Sequence, residues 1–77
     1  MKWFEKIYTA RRDLALTQRQ VAKRAKTNHV QISRIEQGEQ MPKADMLYRL
    51  CQCLNVSMDY VFKDFDKFDF KEDGKSE

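Results

Sequence analysis

The 77-residue chain has one histidine, one proline, two glycines and two cysteines. One histidine beside Cys51 and Cys53 is too small a ligand set for a structural zinc site, and cysteines one residue apart close no useful loop. They fit a chain kept reduced in the cytosol. No apolar run approaches the roughly 18 to 20 residues that a membrane span needs. The start, Met1-Lys2-Trp3-Phe4-Glu5, lacks the apolar stretch of a secretion signal, so a cytoplasmic location and no membrane partner are expected. The scarcity of Gly and Pro, with 42% hydrophobic and 35% charged residues, excludes collagen-like and disordered chains and leaves a helix-rich globular domain. A chain this short has room for one module, which excludes multi-domain enzymes. Catalysis lacks its parts too: there is no Gly-rich loop, and no carboxylates are grouped with a nucleophile. The expectation is therefore no enzyme, no cofactor and no metal.

What the chain does have is an uneven charge. Residues 1–62 carry eleven Lys or Arg against six Asp or Glu, giving +5, while residues 63–77 carry four against six, giving −2. A basic body with an acidic tail suggests a polyanionic partner.

Apolar spacing organises the body into helices. Trp3, Ile7, Ala10 and Leu14 recur at steps of four, three and four, predicting a first helix that ends near Asp13 or Leu14 and faces these residues to a core. Thr17 with Gln20, and Asn28 with Gln31, have the spacing of capping boxes and start two short helices, 18–25 and 29–37. The first offers Val21, Ala22 and Ala25 as its apolar face. The second must stop at Gly38, a natural left-handed terminator. Only Lys26 and Thr27 lie between them, so the two helices meet steeply as a helix-turn-helix. After the loop 39–42, Met46 or Leu47, Leu50, Cys51 and Leu54 mark a fourth helix. Ser57 then caps a fifth, with Asp59 in its first turn and Tyr60, Val61 and Phe62 beyond. Five helices and no strand of comparable strength make residues 1–62 an all-α domain. Residues 63–77 form an acidic tail bearing Phe65, Phe68 and Phe70, its end expected to be disordered. These rings either cover the base of the core or contact a protein partner.

Steps of about 100° per residue divide the 29–37 helix into two faces. Ile32 and Ile35 fall on one side; His29, Val30, Ser33, Arg34 and Gln37 share the other. A hydroxyl, a guanidinium, an imidazole, an amide and a lone valine form a set able to read base edges in a major groove. Val30 can sit against a thymine methyl, or is merely one exposed apolar residue among many. Arg34 can hold guanine with two hydrogen bonds or bind a phosphate. His29 is a base or phosphate contact, and Asn28 belongs with this set at the helix start. Arg19 and Lys43, near helix starts that flank the face, are expected at phosphates. Lys23 and Arg24 are expected to be solvated.

Taken together, Leu16-Thr17-Gln18, Val21-Ala22, Ala25, Ile32-Ser33, Glu36, Gly38, Pro42, Leu50, Leu54, Val56-Ser57 and Asp59-Tyr60-Val61-Phe62 resemble the lambda-repressor-like Cro/C1 (xenobiotic response element) helix-turn-helix family over about residues 5–62. The resemblance implies a five-helix, lambda-repressor-like DNA-binding domain, usually a homodimeric regulator of transcription acting on double-stranded DNA. It implies a phosphate contact for Gln18, whose amide can also brace the recognition helix, and base or backbone contacts for His29, Val30, Ser33 and Arg34. It also implies a structural ion pair between Arg11 and Glu36. The chain departs from the family in the turn, with Lys26 where glycine is common and Thr27 where a branched apolar residue is common. The leading expectation is a repressor. The alternative is an antitoxin whose body regulates its own gene while the tail grips a toxin.

Overall fold

The computed structural model describes residues 1–63; the expectations for Phe65, Phe68, Phe70 and the rest of the acidic tail lie outside the described residues. Five α-helices follow one another: α1 (Trp3–Asp13), α2 (Gln18–Ala25), α3 (His29–Glu36), α4 (Ala44–Leu54) and α5 (Met58–Phe62). No strand occurs among the described residues, and no helix there is long and apolar enough to cross a membrane.

Local chemistry starts these helices. At α2, Thr17 Oγ1 accepts from the Gln20 N–H at 3.0 Å while Gln20 Oε1 accepts from the Thr17 N–H at 2.8 Å, a complete capping box. At α3 only half of the expected box forms: Asn28 Oδ1 accepts from the Gln31 N–H at 2.9 Å, but Gln31 Oε1 takes the Thr27 hydroxyl, 3.3 Å away. Ser57 caps α5 through the Tyr60 N–H. Each such cap contributes about 1 kcal/mol by satisfying a donor that the helix leaves open.

The first four helices also end alike. One left-handed residue, Ala15, Lys26, Gly38 or Asn55, follows each of them closely, at φ between 57° and 76°. The amide after it reaches back to a carbonyl in the last helical turn: Leu16 to Arg11, Thr27 to Ala22, Glu39 to Arg34 and Val56 to Cys51, at 2.9 to 3.2 Å. These tight exits turn the chain back on itself and stack the helices around one core.

Trp3, Ile7, Val21, Ala22, Ala25, Ile32, Ile35, Leu47, Leu50, Cys51, Leu54 and Val61 form that core, and Phe4, Leu16, Met41 and Phe62 pack at its rim. Burial of each large side chain contributes about 1.5 to 3 kcal/mol. Leu14 is the exception to the expected first stripe. Helix α1 ends at Asp13, so Leu14 no longer follows the helical spiral; it is exposed and lines a groove with Ala10, Val56 and Tyr60. Gln37 likewise lies just past α3 as its cap rather than inside it. Cys51 is buried and Cys53 half-buried.

Candidate nucleic-acid interface

Helix α3 is held from one side only. Ile32 and Ile35 are fully buried, and beside them Glu36 meets a cation from α1. Arg11 Nε donates to Glu36 Oε2 at 2.6 Å and Arg11 Nη2 to Oε1 at 3.0 Å, a two-pronged pair. The remaining prong, Nη1, donates to the Leu16 carbonyl at 2.8 Å. The Gln18 amide also donates to Glu36 Oε1, at 3.1 Å, so the first residue of α2 braces the last of α3. Hydrogen bonding to the Glu36 carboxylate raises the Arg11 pKa above its ordinary value, and burial opposes this more weakly. One buried carboxylate thus joins three helices and fixes α3 from its inner side, leaving its opposite side open among the described residues.

That open side carries Val30, which is 47% exposed. Arg34, Gln37 and Asn28 are exposed beside it, while His29 and Ser33 are half-buried. The Gln37 amide donates to Ser33 Oγ at 2.8 Å, linking two polar groups one turn apart. Among the described residues, none of Asn28, His29, Val30, Ser33 and Arg34 is drawn into an ion pair, so the face is available to a partner. Arg19 and Lys43 are exposed at the starts of α2 and α4, and Gln18 is half-buried by its bond to Glu36.

Residues 4–66 match the helix-turn-helix domain family. The chain belongs to that family. In a helix-turn-helix domain the second helix enters the DNA major groove while the first crosses the backbone, and here those helices are α3 and α2. The chain is also 31% identical, over 70 residues, to a protein of Rhodospirillum rubrum described as an uncharacterized transcriptional regulator in the ATPase CF(0) region. The match takes in 91% of this chain, which spans 65% of the length of that relative. No solved structure matches the chain.

The turn of this helix-turn-helix domain runs through Lys26, at φ 62° and ψ 49°. Its side chain is exposed, so the missing glycine strains the backbone by about 1 kcal/mol without crowding anything. Two cations that hold the domain together escaped the sequence reading. Lys6 is 7% exposed; its ammonium donates to the Tyr60 carbonyl at 2.9 Å and lies 4.9 Å from the centre of the Tyr60 ring, tying α1 to α5. Arg49 Nε donates to the Ala25 carbonyl at 2.8 Å, clasping α4 to the end of α2 just before the turn. The only legible trace of Lys6 was its position three residues after Trp3, on the apolar side of α1. Burial pushes both thiols up, away from the reactive thiolate; Arg24 partly opposes this at Cys53.

Proposed function

We propose that this helix-turn-helix domain is a sequence-specific regulator of transcription that binds double-stranded DNA as a homodimer and represses by covering a promoter. The observation that supports the reading best is the contrast across α3: Ile32 and Ile35 are sealed in the core while Val30 stands 47% exposed among polar side chains. In a groove, Val30 meets a thymine methyl and Arg34 holds the N7 and O6 acceptors of a guanine. His29 and Asn28 contact bases or backbone at the entry of the helix, and Ser33 with Gln37 follows along the same face. Gln18, Arg19 and Lys43 meet phosphates and set the register.

Selection of bound duplexes from a random pool tests this directly. The expected product is a palindrome whose half-sites lie about 10 to 11 base pairs apart, centre to centre, because a two-fold dimer presents both recognition helices to one side of the duplex. Recovery of duplexes with no shared sequence would overturn the specific reading. A lone half-site would overturn the dimer.

A further inference from the structure

An open hollow lies where α1 ends and α2 begins. Arg12, Thr17, Gln18, Arg19 and His29 line it, bringing residues from the ends of three helices to one place. Among the described residues no carboxylate lines it, since Glu36 is turned inward onto Arg11 and Gln18. Arg11, which also borders it, is neutralised by that pair. The uncompensated charge therefore comes from Arg12 and Arg19. Arg12 is positioned: its Nη1 donates to the Tyr8 hydroxyl, and its guanidinium lies 5.5 Å from the centre of that ring. A guanidinium held against an aromatic ring keeps its other N–H groups directed outward and loses little freedom on binding.

We propose that Arg12, from α1, is a DNA phosphate contact that neutralises a backbone phosphate of its own, beside the one that Arg19 meets. The inference rests on the DNA-binding reading above and adds to it a residue outside the helix-turn-helix itself. The hollow borders the entry of α3 through His29, so a strand flanking the groove that holds α3 passes over it. Two guanidinium groups there, with no acid competing among the described residues, match the charges and acceptor oxygens of two neighbouring phosphate diesters. Tyr8 is a positioning residue that holds Arg12 toward the strand.

The test is the salt dependence of binding to the selected duplex, compared among wild type, Arg12→Ala, Arg12→Lys and Arg24→Ala. Arg24 is an exposed cation five residues beyond Arg19, about 140° around α2, and does not line the hollow. Arg12→Ala is expected to lower the slope of log affinity against log salt by about 0.9 per half-site, a ratio between 50 and 200 mM that shrinks about 3.5-fold for each. The loss should be equal for every base variant of the site. Arg12→Lys should keep the slope, Arg24→Ala should leave it unchanged, and thermal melts of all four proteins should coincide because both arginines are exposed. An unchanged slope in Arg12→Ala would overturn the assignment, as would an equal change in Arg24→Ala, which would mark an effect of net charge alone. A loss confined to certain base variants would overturn it too. If wild type itself shows no salt dependence or no binding, the DNA reading falls first and this assignment falls with it.

Discussion

The two sides of α3 are built from the same eight residues, yet they follow opposite rules. On the inner side every polar atom is spoken for: Glu36 accepts three hydrogen bonds from two other helices, and Ile32 and Ile35 are fully buried. On the outer side Val30 is left 47% exposed, and Arg34 extends into solvent. The inner side positions the helix and the outer side presents it. A substitution on the inner side should therefore change how much protein is folded, and one on the outer side which duplex is bound.

The largest expected effect is on the inner side. Glu36→Ala leaves the Arg11 guanidinium, with 11% side-chain exposure, beside the Leu16 carbonyl and the Tyr8 ring but without its carboxylate. Leaving a buried charge without its partner costs about 3 to 5 kcal/mol, a large share of the stability of so small a domain. Arg11→Met combined with Glu36→Leu removes both charges and should be much milder. Urea melts of Arg11→Met, Glu36→Leu and the variant that combines them measure the coupling. Additive losses would show that the pair does not act as a unit and would remove the main distinction between the two sides.

Next comes the exit of α3. Gly38 has φ 76°, and a Cβ built there would lie 2.7 to 2.9 Å from atoms of the Phe4 ring. Gly38→Ala combines a left-handed non-glycine residue, about 1 to 2 kcal/mol, with crowding of a packed ring, about 1 to 3 kcal/mol. Adding Phe4→Leu should recover the crowding part only. A Gly38→Ala protein as stable as wild type would mean that the ring yields freely and that α1 does not clamp this end of α3.

On the outer side the effect moves from folding to binding. Arg34→Ala should leave the melting temperature nearly unchanged and lose about 1 to 3 kcal/mol of discrimination at one base pair per half-site. Val30→Ala should weaken a thymine preference and keep the salt slope. Titration of single-base variants of the selected site decides both. Equal loss across all variants would make these residues backbone anchors and leave the outer face without a reading role.

How much of this was legible depended on how local the cause was. Thr17 and Ser57 start helices through atoms three residues away, so the Thr17–Gln20 spacing located α2, and Ser57 with Asp59 after it located α5. The burial of Ile32 and Ile35 followed from helical period in the same way. Leu14 misled because the period continues on paper after the helix has stopped, and a left-handed Ala15 carries no mark in the sequence. Gln31 misled because a neighbouring hydroxyl, Thr27, captured the group that would have completed the box. Lys6 and Arg49 were missed for a different reason. Each delivers its charge to a main-chain carbonyl 54 or 24 residues away, and a main-chain acceptor has no residue type to recognise. The Arg11–Glu36 pair, 25 residues apart, came from the family resemblance rather than from spacing.

The smallest effect sharpens the comparison most, because Lys26 and Gly38 share a backbone conformation but not an environment. Lys26 has φ 62° at the exposed entry side of α3, and Gly38 has φ 76° in a buried contact at its exit. Lys26→Gly relieves left-handed strain of about 1 kcal/mol, while the added freedom of the unfolded chain takes back about 0.4 to 1 kcal/mol. The net change should be under about 1 kcal/mol and neutral or stabilising, opposite in sign to Gly38→Ala. The Thr27-to-Ala22 hydrogen bond that closes the turn uses main-chain atoms only, so the lysine side chain has no part in it. The same urea melts measure this variant. A loss as large as that of Gly38→Ala would show that the lysine side chain, not the backbone, holds the turn, and the outer side of the motif would then be as firmly fixed as the inner.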